Sequence, residues 1–148
     1  MKAKLSLAAF DIIISADNGI PTAVNIMEAI HGESFPLVIP NIAFLTVWKK
    51  EPDDPAQVTA TISVKLDDEE IMNAEMTIAF RKRQVARSVA RFQGLFVSRP
   101  GILTFSSRIG EEIGSCSIDI LASQPRMDQV GDVEASQVSQ AGDGVAGG

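Results

Sequence analysis

Chemistry in this sequence would have to come from one histidine, one cysteine, two acidic clusters or one arginine-rich stretch. His31 stands in "IHGES" close to Glu33 and Ser34. A hydrolytic triad needs a base that takes a proton from a positioned hydroxyl, and a carboxylate that orients the base. Near neighbours on one turn do not supply that geometry, so His31 reads as a solvent-exposed turn residue and no catalytic residue is expected. Cys116 falls on the inward face of a patterned segment, where a thiol behaves as a small hydrophobe with a raised pKa. The acidic clusters are Glu51, Asp53 and Asp54 in "EPDDP" and Asp67, Asp68, Glu69 and Glu70 in "DDEE". Calcium takes six to eight oxygen ligands, and loops at one end of a β-protein can gather them. Here a strand of about nine residues separates the clusters by about 30 Å, so they cannot share an ion. One cluster completed by Asp17, or by Glu111 and Glu112, is the arrangement that remains, and the expectation is solvated hairpin turns without a metal. No glycine-rich phosphate loop, paired-cysteine zinc pattern or dinucleotide fingerprint occurs, so no cofactor is expected. The single Trp48, beside Lys49 and Lys50, reads as packing at a strand end.

The arginine-rich stretch is the strongest electrostatic feature. Residues 81–99, "RKRQVARSVARFQGLFVSR", hold six Arg or Lys and no acid, leaving seven basic against nineteen acidic residues elsewhere. If this stretch is a strand, Arg87 and Arg91 point to one side, with Arg81, Lys82 and Arg83 just ahead at a turn. Guanidinium groups grip carboxylate or phosphate with a two-bond fork, so the strip could hold an acidic partner surface. Alternatively it protects an edge strand from aggregation, or pairs with the chain's own acids. The overall charge of −6 opposes nucleic acid, and the absence of Tyr removes much of the usual stacking platform.

These residues need a scaffold, and the scaffold is legible in a period of two. In "VTATISVKL", Val58, Ala60, Ile62, Val64 and Leu66 point one way while Thr59, Thr61, Ser63 and Lys65 point the other, as a half-buried strand requires. "NAEMTIAF" repeats this with Ala74, Met76, Ile78 and Phe80 inward, and the short polar link makes the two an antiparallel hairpin. Leu103, Phe105 and Ile109 share a face before Gly110-Glu111-Glu112 turns the chain, and Cys116, Ile118 and Ile120 line the returning strand. Upstream, Leu5 to Ile14 ends at "ADNG", Thr22 to Ile30 runs back, and "FPLVIPNIAFLTVWKK" adds a strand whose Pro36 and Pro40 place its start at an edge. Residues 85–97 suit a helix by Val85, Val89 and Phe92. Val85, Val89, Leu95 and Val97, with Gly94 among them, favour a bent strand.

Seven or eight strands at this spacing predict an all-β protein, an antiparallel β-sandwich of immunoglobulin-like or C2-like kind with little helix. The sandwich is expected over 1–126, followed over 127–148 by a flexible, polar, glycine-rich tail. No stretch has the roughly 18 uncharged apolar residues of a membrane span. A basic start and apolar run at the N-terminus have the outline of a signal peptide, but Asp11 interrupts it and no cleavage site follows. A lone cysteine fits a reducing compartment, so a cytoplasmic location is expected.

The order of the pieces, with Asp11, Asn25-Ile26, Phe35-Pro36 and Pro100-Gly101 as landmarks, resembles a family of small bacterial proteins with a domain of unknown function. The resemblance covers about residues 4–122 and implies a β-sandwich, with no activity or catalytic residues to carry over. The sequence reading is thus a non-catalytic β-sandwich in the bacterial cytoplasm that binds a protein partner or a second copy of itself. It binds neither nucleic acid nor membrane, and Arg81, Lys82, Arg83, Arg87 and Arg91 carry its charged interface. The rivals are a hydrolase or metal-dependent enzyme assembled only in three dimensions, and a carrier of an apolar ligand held between the sheets.

Overall fold

The computed structural model describes residues 1–124. Within them run β1 (Lys2–Ile14), β2 (Pro21–Ile26), β3 (Ala29–Gly32), β4 (Leu37–Lys49), β5 (Gln57–Leu66), β6 (Glu69–Ala79), β7 (Val85–Val97), β8 (Gly101–Ile109) and β9 (Glu112–Ala122). They form a four-stranded sheet of order β2-β1-β4-β7 and a five-stranded sheet of order β3-β9-β8-β5-β6. Neighbours are antiparallel except β3, which lies parallel to the end of β9. The sheets pack face to face as a sandwich. Between them Phe44 and Phe92 of one sheet meet Phe105 of the other, with ring centroids 5.8 and 5.6 Å apart. No helix among the described residues is long and apolar enough to cross a membrane. The tail expected over 127–148, and its boundary after 126, lie outside the described residues.

The two-residue rhythm is realised in β5, where Ala60, Ile62, Val64 and Leu66 are buried and Thr59 and Lys65 are exposed. In β6 and just after it the inward set is Met76, Ile78 and Phe80, while Ala74 is exposed. The run read as one strand from Thr22 to Ile30 is divided. β2 pairs with β1, β3 pairs with β9 in the other sheet, and Asn25 near the end of β2 has φ +53°. Alternation reports which face a residue occupies and carries nothing about which sheet supplies the partner.

Residues 85–97 are a strand, as their spacing favours, with Arg87 and Arg91 on one side. Ala86, Ser88 and Phe92 are buried, so Val85 and Val89 face outward alongside Arg87 and Arg91. Gly94, with φ +68°, then shifts the phase, and Leu95 and Val97 return to the core. Only a residue without Cβ takes that conformation at no steric cost, so glycine permits the change of phase without a shift of register. Pro40 lies opposite, where the β4–β7 register passes from Ile39↔Leu95 to Asn41↔Gln93. β1 pairs with β4 no further than Ala43, so the first half of β4 has a free edge on that side, as its proline requires.

Beyond Ala9, β1 leaves β4 and pairs with β2, and this hairpin turns across the outer face of its own sheet. Ile12 is fully buried in a second apolar layer with Ala9, Ala43 and Leu45, flanked by Leu7, Ala23, Val47 and Val89. Arg91 fastens the arm: its Nη2 donates to the Ile12 carbonyl at 2.7 Å, and its Nε lies 3.6 Å from Asp11 Oδ1. The fold thereby brings the hairpin tip, Ile14 and Gly19, beside the start of β7.

At the opposite margin the two sheets approach closely. Gly114 of β9 stands where a Cβ would meet Ser6 Oγ at 2.6 Å, Thr46 Cγ2 at 2.8 Å and Ala3 Cβ at 3.0 Å. The buried hydroxyls of Ser6, Thr46 and Ser107 have no hydrogen-bond partner there among the described residues.

Candidate functional site

The turn between β6 and β7 is closed by the Arg83 amide, which donates to the Phe80 carbonyl at 2.7 Å. Its central residues, Arg81 and Lys82, have φ +43° and +66°. An L-residue in the left-handed region crowds its Cβ against the following carbonyl oxygen, and asparagine or glycine normally occupies such positions. Two long cationic side chains stand there instead. Arg83 then leads into β7, on which Arg87 projects from the outer face.

Around these residues lies a groove of about 510 Å³, lined by Ile14 and Gly19 of the hairpin tip, by Phe80, Arg81 and Arg83 of the turn region, and by Val85, Ala86, Arg87 and Val89 of β7. The lining takes residues from both faces of β7, because β7 ends its sheet and the groove opens along its unpaired edge. Apolar and cationic groups interleave along it, the exposed Val85 and Ile14 standing among three guanidinium groups. Arg81, Lys82, Arg83 and Arg87 form no ion pair among the described residues. Such a groove can hold a carboxylate or phosphate by charge-assisted hydrogen bonds while covering an apolar neighbour.

Four of the five cations singled out in the sequence therefore gather at one end of β7, with Arg81, Arg83 and Arg87 lining the groove and Lys82 beside it. Arg91 is placed otherwise, as the strut to Ile12. Sequence reasoning missed the apolar half of the site. Val85 and Val89 carried a signal, their alternation with Arg87 and Arg91, whereas nothing in residues 10–20 marked the hairpin as bending over the sheet.

The other candidates are held by local structure. Asp54 Oδ2 accepts from the Glu51 amide at 2.7 Å and lies 2.8 Å from the Met1 ammonium, which with the Glu51 bond holds its carboxyl below the usual range. Asp67 Oδ1 accepts from the Ile102 amide at 2.9 Å, and Arg99 reaches Glu69 at 2.9 Å and Asp67 at 3.6 Å. Both acidic clusters thus brace turns. Among the described residues no three His, Cys, Asp or Glu side chains gather as a metal site would require. His31 is exposed on β3, with Glu33 and Ser34 exposed in the bend that follows. Its side chain makes no hydrogen bond among the described residues. Cys116 is part-buried, and burial pushes its thiol up to about 11. Trp48 is fully buried in the core.

The chain matches no family model, and no curated protein or solved structure matches it.

Proposed function

We propose that this β-sandwich is a non-catalytic binding module of the bacterial cytoplasm whose interface is the cationic groove at the start of β7. The observation that carries the reading is the set of three guanidinium groups interleaved with apolar ones along the groove, without acidic partners among the described residues, in a chain of net charge −6. A second feature supports it. Arg81 and Lys82 hold a backbone conformation that works against their own residue types, and such local conflicts concentrate where side chains serve a purpose other than folding. The partner is an acidic protein surface. Nucleic acid fits less well, because the only aromatic lining residue, Phe80, is buried and offers no stacking face. The lone thiol of Cys116 fits a reducing interior. Kinship with the bacterial family belongs to the same proposal, resting on Asp11, Asn25-Ile26, Phe35-Pro36 and Pro100-Gly101.

Retention on immobilised poly-glutamate at low ionic strength tests the reading. The full chain should be retained and elute with rising salt, and Arg83→Glu with Arg87→Glu should abolish retention with an unchanged circular dichroism spectrum. Equal retention of the double variant would refute the groove as the interface.

A further inference from the structure

The groove is more than a charged patch, because it follows the unpaired edge of a strand. Its lining includes Val85, Arg87 and Val89 from the outer face of β7 and Ala86 from the inner face, so the backbone between them borders the groove. β7 is 13 residues long and pairs only with β4, leaving one row of amides and carbonyls without a sheet partner. Such an edge is a template for another extended chain, and proteins that keep it monomeric usually shorten, cover or kink it. Here the kink comes late, at Gly94, and residues 85–93 form an uninterrupted length.

Resting on the reading above, we infer that the groove recognises its partner by strand addition. A short extended segment of another protein pairs with the β7 edge between Val85 and Val89. In an added strand, side chains alternate between faces and stand beside their counterparts on β7. The outer face of β7 reads apolar, cationic, apolar at Val85, Arg87 and Val89. The occupant is therefore apolar, acidic, apolar at every second residue. Its carboxylate meets Arg87, with Arg83 and Arg81 at the end of the groove, and its apolar groups cover Val85, Val89 and Ile14. Arg91 adds no further demand, since the Ile12 carbonyl and Asp11 already engage it. Residues between the outward ones face Ala86 and Ser88, which favours small or β-branched side chains. Main-chain bonds supply affinity in this mode, and the alternating side chains supply selectivity.

The test titrates synthetic capped peptides containing Val-Thr-Glu-Thr-Val into the full chain, followed by backbone amide NMR shifts and calorimetry. Shifts should centre on residues 83–90. Two further peptides carry N-methyl groups on one or the other alternate set of amides. Strand addition requires that one set abolish binding, weakening it about tenfold or more, while the other, facing solvent, leaves it nearly intact. Arg87→Glu should lose the glutamate peptide and gain the version with Lys at that position. Equal binding of both methylated peptides, with dependence on Arg83 and Arg87 retained, overturns strand addition and leaves the anionic groove standing. Binding indifferent to both arginines overturns both. Absence of peptide binding, with poly-glutamate retention intact, overturns strand addition alone.

Discussion

Replacing Arg81 by Asn and Lys82 by Gly should make the protein more stable and a poorer binder. The two residues occupy the centre of a tight turn at φ +43° and +66°, closed by the Arg83 amide on the Phe80 carbonyl. Left-handed backbone costs an L-residue about 1–2 kcal/mol. Asparagine tolerates the region and glycine enters it without a Cβ clash, though glycine returns part of the gain as unfolded-state entropy. Neither side chain makes an ion pair among the described residues, so little is lost in exchange. A net gain of about 1–2 kcal/mol follows, and with a urea dependence of about 1–3 kcal/mol per molar the unfolding midpoint should rise by about 0.3–2 M. Urea titration by tryptophan fluorescence reads this directly, because Trp48 is fully buried in the folded chain. The same variant should elute from poly-glutamate at lower salt, having lost two charges at the groove. A midpoint that stays or falls would refute the strained turn, and unchanged elution would refute its link to binding.

Gly114→Ala should lower stability by about 1–3 kcal/mol, since the new methyl meets the stiff Thr46 side chain at 2.8 Å and Ala3 Cβ at 3.0 Å. Adding Thr46→Ser, which removes the Thr46 methyl, should restore part of that in the same urea assay. Thr46→Val alone should be neutral or stabilising, because the Thr46 hydroxyl is buried without a partner among the described residues and valine keeps its shape; a loss above about 1 kcal/mol would reveal a hidden hydrogen bond. Burial raises the Cys116 thiol from 9.0 to about 11, so the unfolded chain ionises first. The contribution of this group is complete below pH 9 and is lost as pH climbs from 9 to about 11. Urea midpoints across that window should fall more for the native chain than for Cys116→Ala, and parallel curves would contradict the shift.

The alternation in residues 58–66 and 103–120 was sufficient to place β5, β8 and β9 and to assign their inward faces, because a strand half covered by a core admits only one phase. It also gathered Arg81 to Arg91 on one strand and turn, since residues two apart share a face. Sequence did not give the phase of β7. Val85, Arg87, Val89 and Arg91 share an outward face that is half apolar, and hydrophobicity identifies the inward side only when the outer side is polar. Of that face only Val89 is taken up by the β1–β2 arm, in a cluster of Ile12 with Ala43 and Leu45 more than thirty residues distant along the chain, while Val85 stays exposed. The splitting of residues 21–32 between two sheets is equally non-local, as each short run takes its partner from another part of the chain.

The sequence by itself determined that the chain builds layered strands, that its two acidic clusters fall at the ends of a strand, and that its cations concentrate after residue 80, all properties of local pattern. Only the tertiary structure decided that β7 ends a sheet, that Arg91 fastens the arm while Arg83 and Arg87 line a groove, and that Ile14 closes one side of it. These are questions of which surfaces meet, and they are settled by long-range burial that no period of two encodes.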